Sequence, residues 1–221
     1  MENQKLDQLA EIELWLKNSN NDVESQRKAK LPIIHSGGAI GSDTCFAIEA
    51  LKYGIETIAH SFNGHSCQPN SGKRIAHSEQ DLSIATEILT NINKKYIKRK
   101  FPPNSKFVEN LLRRNYFQVI DSQAVIAIST INKYGIVEGG TAWAVYMGIE
   151  RNIPVFVFDQ ATNEWHEWVD SRFSIITIEN MPKYDYAFAG IGTREISPSG
   201  LNAIREYLLK YKERNEENFK A

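Results

Sequence analysis

The chain has 221 residues, with 26 Lys plus Arg against 27 Asp plus Glu and a formal net charge of −1. That balance leaves no broad positive footprint for duplex nucleic acid, and no apolar run approaches the roughly 20 residues that cross a bilayer. Cys45 and Cys67 lack metal-ligand spacing and the amino-terminal MENQKLDQLAEIE is acidic, so no metal is expected and the setting is read as reducing and cytoplasmic. A fold of this size hides roughly 70 % of its unfolded surface, enough for one domain over 1–221 without disulfides.

Leu6 to Leu16 carries loosely helical apolar spacing, and a polar stretch from Asn18 to Lys30 follows. Pro32 to His35 reads as a short strand ending in the glycine turn Ser36-Gly37-Gly38-Ala39-Ile40-Gly41-Ser42-Asp43. Thr44 to Tyr53 reads as a helix stopped by Gly54. Ile55 to His60 is a second strand, and the polar segment Ser61 to Lys73 is long enough to cover a site as a lid bearing His60, Asn63 and His65. Ser78 to Lys100 is predicted as one long helix, acidic early and basic late as the helix dipole favours. After Pro102-Pro103, Lys106 to Phe117 resumes a helical pattern, and Ala124 to Ile128 is an apolar strand of the kind buried on both faces. Glu138-Gly139-Gly140-Thr141 opens a helix through Glu150, and Pro154 to Phe158 is another buried strand, ending at Asp159-Gln160. Ser174 to Ile178 and Tyr186 to Ala189 are further strands, the latter leading into Gly190-Ile191-Gly192-Thr193-Arg194, and a helix runs from about Ser199 to Lys212. Strands alternating with helices predict an α/β fold: a Rossmann-like, doubly wound, mostly parallel sheet with helices on both faces.

In such sheets ligands bind beyond the carboxyl ends of the strands, where helix amino termini expose unpaired amides. Three turns have the composition for an anion cradle: 36–43, 138–141 and 190–194. Asp43 is either a carboxylate favoured by the helix dipole or an acceptor for ribose hydroxyls. Arg113 and Arg114 are either solvated charges or planar forks for phosphate, and Arg194 follows its glycine turn directly. Trp143, Trp165 and Trp168 could stack on a base, although packing is the commoner use of such rings. His65 with Cys67 could form a nucleophilic pair, but no third orienting group is visible.

Taken together, HSGGAIGSDT, LLRRNYFQVIDSQAVIAIS, EGGTAWAV and PVFVFDQ resemble the SLOG superfamily of Rossmann-like proteins over about Pro32 to Gln160. That superfamily includes LOG-type phosphoribohydrolases and DprA-like proteins, and the motif style here is similar to phage-borne members. The resemblance implies a nucleotide site of Gly37, Gly38, Gly41, Ser42 and Asp43 on one turn and Gly139, Gly140 and Thr141 on another. It implies no cofactor, and LOG-type relatives suggest a homodimer or higher homo-oligomer. LOG-type enzymes use an Arg before the buried strand, which Arg113 or Arg114 matches, and a Glu soon after the glycine turn. Here Ala142-Trp143-Ala144-Val145 follows that turn with no carboxylate. The strand that comes first in SLOG proteins corresponds to AFAGIGTREI at the carboxyl end of this chain. A circular permutation is therefore expected, with that strand beside PIIHSGG and Gly192, Thr193 and Arg194 brought to the same crevice.

Three functions follow as expectations. The first is binding of a nucleotide or nucleotide-derived small molecule, as sensor, carrier or sequestering protein. The second is a LOG-like N-glycosidase working with Arg114 and with Glu138, Asp159 or Asp43 in place of the missing Glu. The third is DprA-like single-stranded DNA binding at the Lys94 to Lys100 cluster with Tyr96.

Overall fold

The continuous apolar runs of the sequence form the middle of an eight-stranded sheet in the computed structural model, which describes residues 33–182 and 187–214. The elements run β1 (Ile33–Ser36), α1 (Ser42–Leu51), β2 (Glu56–Phe62), β3 (Lys73–His77), α2 (Glu79–Ser83), α3 (Ala85–Ile92), α4 (Lys106–Arg113), α5 (Asn115–Val119) and β4 (Val125–Ser129). Then come α6 (Thr141–Glu150), β5 (Val155–Asp159), β6 (Glu164–Val169), β7 (Arg172–Ile176), β8 (Ala187–Gly192) and α7 (Pro198–Arg214). The reading of residues 6–30 lies outside the described residues.

The sheet order is β3-β2-β1-β8-β4-β5-β6-β7. Pairing is parallel from β3 through β5 and antiparallel across β5-β6 and β6-β7. Counted from β8 as the first strand, β2-β1-β8-β4-β5 is the 3-2-1-4-5 order of a Rossmann-like doubly wound sheet. The last strand thus takes the central place, with Ile33 opposite Ala187 on one side and Val125 opposite Ala189 on the other. AFAGIG, with no polar side chain, suits a place covered on both faces.

Side chains of the central strands alternate between two cores. Ile126, Ile128, Phe156, Phe158 and Phe188 pack with α1 and α7 through Phe46, Ala50, Ile204, Tyr207 and Leu208. Val125, Ala127, Val155, Val157, Ala189 and Ile191 face α3, α5 and α6. The sheet is therefore covered on both faces, and among the described residues no helix is long and apolar enough to cross a membrane.

Three local expectations change. Residues 78–100 do not form one helix: α2 ends at Ser83, α3 ends at Ile92, a π turn covers Asn93–Ile97, and Lys98 turns left-handed. Exposed Ile84 separates two short helices whose buried positions, Leu82, Ala85 and Leu89, still follow one face. The expected lid over Ser61 to Lys73 is trimmed at both ends: β2 runs on to Phe62, and Lys73 opens β3, which pairs in parallel with β2. The tryptophans serve packing: Trp143 and Trp165 are core residues, and Trp168 packs between Tyr146 and Phe173 across the β6-β7 hairpin.

Candidate functional site

β1, β8 and β4 are parallel neighbours, so their carboxyl ends open on one edge of the sheet. The three glycine turns follow these strands. The sheet order reverses between β8 and β4, the position where doubly wound sheets hold ligands. A cavity of about 420 Å³ lies there. Its lining includes Asp43, Arg114, Gly139, Gly140, Thr141, Gly192, Thr193 and Arg194, so the structure brings all three turns to one crevice.

Arg114 ends the helical turn after α4 and is buried, with its Nη2 3.6 Å from Asp43 Oδ2. The guanidinium lies flat against Gly37: a β-carbon there would stand 1.5 Å from Arg114 Nη1. Glycine is thus required by close approach. Asp43 also accepts from the amides of Gly37 at 3.2 Å and Gly192 at 3.2 Å, tying the first turn to the last. Burial pushes the Asp43 carboxyl above its ordinary value, opposed by Arg114 and by the amides of Ala39, Gly192 and Gly37. Burial likewise pulls the Arg114 guanidinium down, opposed chiefly by Asp43. Both directions have one cause: each charge has left water for a site where the other is its main compensation.

The two helix amino termini differ. At α1, the Ser42 amide and hydroxyl both donate to Thr193 O, at 3.0 and 3.1 Å, so protein already occupies that end. Ser36, Gly38 and Gly41 build the same joint: Ser36 Oγ donates to Asp43 O, Gly38 O accepts from the Gln68 amide, and Gly41 is the cap of α1. At α6 the cap is Gly140, which has no side chain to accept from the first-turn amides. Gly139, Gly140 and Thr141 at this helix start line the cavity, and the amino-terminal end of a helix favours negative charge.

Other expected residues take supporting or outside positions. Arg113 turns away from the cavity to pair with Glu109 and Glu79. Glu138 is exposed and does not line the cavity. Asp159 is buried but accepts from the amides of Ile131 and Ala161, closing a turn. Gln160 holds the loop after β8 through Thr193, Glu195 and Ser197. In the Lys94–Lys100 cluster, Lys95 and Tyr96 both bind Glu150.

The lid histidines separate. Asn63 is exposed outside the cavity, and His60 lies on β2, buried in a chain where His35 Nδ1 meets His60 Nε2 and His60 Nδ1 meets His77 Nε2, each at 2.9 Å. Burial, then His35, His77 and Arg114, lower His60 to about 3. His65 does line the cavity, its ring stacked on Phe62 and its Nδ1 3.1 Å from Ser61 Oγ. Burial, followed by Arg114, Arg74 and Arg194, lowers it to about 4, so it faces the cavity as a neutral imidazole.

The sequence reading missed the wall opposite the glycine turns, where Phe107, Val108, Leu111 and Leu112 of α4 line the cavity with Asn115 and Gln118 of α5. One signal was available: Asn115 and Gln118 stand one and four residues beyond Arg114, and the i+4 position shares a helix face.

No family model matches the chain, and no curated protein matches it. Among solved structures, the crystal structure of a "Putative molybdenum carrier protein" from Syntrophus aciditrophicus SB is similar, at 17 % identity. The match covers 82 % of this chain and 94 % of that one, with a TM-score of 0.48.

Proposed function

We propose that this protein is a SLOG-type, circularly permuted binding protein for a nucleotide or nucleotide-derived small molecule. The ligand's phosphate is held by the amino terminus of α6 at Gly139–Thr141, by the turn Gly192–Arg194 and by Arg114. The observation that carries the reading is the meeting of an uncapped ten-residue helix with a buried guanidinium in one cavity at the reversal of sheet order. Binding is favoured over hydrolysis because Asp43, the one carboxylate among the lining residues, is engaged by Gly37, Gly192 and Arg114. A general base needs a free lone pair near water.

Titration calorimetry with AMP and with ribose 5-phosphate tests this. Arg114→Met should weaken binding by roughly 10- to 100-fold, the usual worth of a charge-assisted hydrogen bond. Arg194→Ala, on the exposed rim, should weaken binding while leaving the fold intact. Unchanged affinity in both variants would remove the proposal.

A further inference from the structure

Gln118 is 1 % exposed and lines the cavity, yet neither its Nε2 nor its Oε1 has a hydrogen-bond partner in the protein. A buried amide left this way is costly, so an orphan amide on a residue of a cavity wall marks a site completed by something else. Because both atoms are unpaired, the conclusion holds whichever way the amide is turned. The amide presents one donor and one acceptor side by side, and its complement is a planar edge with an acceptor beside a donor. Nucleobases carry such edges, and a bare sugar phosphate does not.

The neighbours fit the same guest. Gln118 stands one helical turn beyond Arg114, on the same helix face as the proposed phosphate ligand. Leu111 and Leu112 of α4 form an apolar wall beside it. Phe107, 45 % exposed, lies 5.4 Å from Phe62 and 6.4 Å from His65 between ring centroids, leaving ring surface open to the cavity. Apolar walls around a single polar group are the usual construction of a selective small-molecule pocket.

Resting on the phosphate-binding reading above, we infer that Gln118 is the specificity-determining residue of this cavity and reads the donor–acceptor edge of a nucleobase. The ligand class is thereby narrowed from sugar phosphates in general to nucleotides bearing an intact base.

The test compares AMP, IMP, CMP, UMP and ribose 5-phosphate by titration calorimetry on the wild-type protein and on Gln118→Met, a change of similar volume. In the wild type, one nucleotide should bind about 5- to 150-fold more tightly than ribose 5-phosphate, the worth of a bidentate amide contact. Gln118→Met should erase that preference, leave ribose 5-phosphate affinity unchanged, and keep or raise the unfolding midpoint of the free protein. Equal binding of all five probes by the wild type would overturn the role of Gln118 while leaving the phosphate site standing. So would a variant that loses ribose 5-phosphate in the same proportion or melts lower. Failure of every probe to bind would remove the phosphate reading and this one with it.

Discussion

At the scale of single residues the site turns on which of two adjacent buried arginines faces the cavity. Arg113 and Arg114 are about 100° apart around a helix, so one faces the cavity only if the other faces away. The choice is made by Glu109, four residues before Arg113, and by Glu79, which together hold Arg113 on the outer side. The Glu109–Arg113 spacing was present in the sequence and could have assigned the register. The i+4 spacing from Arg114 could have placed Gln118 on the cavity face, but its unpaired amide was not legible, because that is a property of the surroundings that the fold alone creates. The close fit of Arg114 on Gly37 yields a sharp prediction. Gly37→Ala places a methyl group where the guanidinium lies and displaces it from Asp43. Breaking a buried pair in this way should cost about 3–5 kcal/mol in urea denaturation. In an Arg114→Met background the same glycine change should cost clearly less, and equal costs in the two backgrounds would show that the two residues are not coupled.

At the scale of elements, the strands buried on both faces were legible because nothing else explains runs such as AVIAI and PVFVF, and β4 and β5 fall within one residue of their expected ends. β3 was not legible: KRIAH is largely exposed, lies at the sheet edge, and takes its form from pairing with β2. β6 was missed for the same reason, since EWHEWV gains its strand form from the antiparallel hairpin with β7. The long helix expected over 78–100 had a correct charge order, yet charge order does not report where a helix bends. The place of β8 beside β1 followed from motif order, because the glycine turn after it needs its companions at the same sheet edge; its pairing with β4 on the other side was not foreseen. The α4 wall was invisible to the sequence, since Phe107 and Val108, 45 % and 40 % exposed, read as an ordinary amphipathic helix.

At the scale of the whole molecule, the buried histidines link stability to pH. His60 falls to about 3 and His65 to about 4, both below the ordinary value of 6.5 that the unfolded chain restores. Between these values the unfolded chain binds more protons than the folded one, so stability rises with pH and is lost as pH falls below about 6.5. Each histidine should remove about 2 kcal/mol by pH 5, read as a fall in the urea midpoint. Replacing His65 by Asn should flatten that slope, and an unaltered slope would show that His65 takes up its proton over the same pH range in the folded and unfolded chains.

A bound anion held by the glycine turns after β4 and β8 should move the backbone amide resonances of those turns when AMP is added to isotope-labelled protein. The largest shifts should fall at Gly139, Gly140, Thr141 and Arg194, with the Arg114 side chain moving in step. Shifts confined to the groove of Ile88, Tyr116 and Arg151 on the α3 side would contradict this placement.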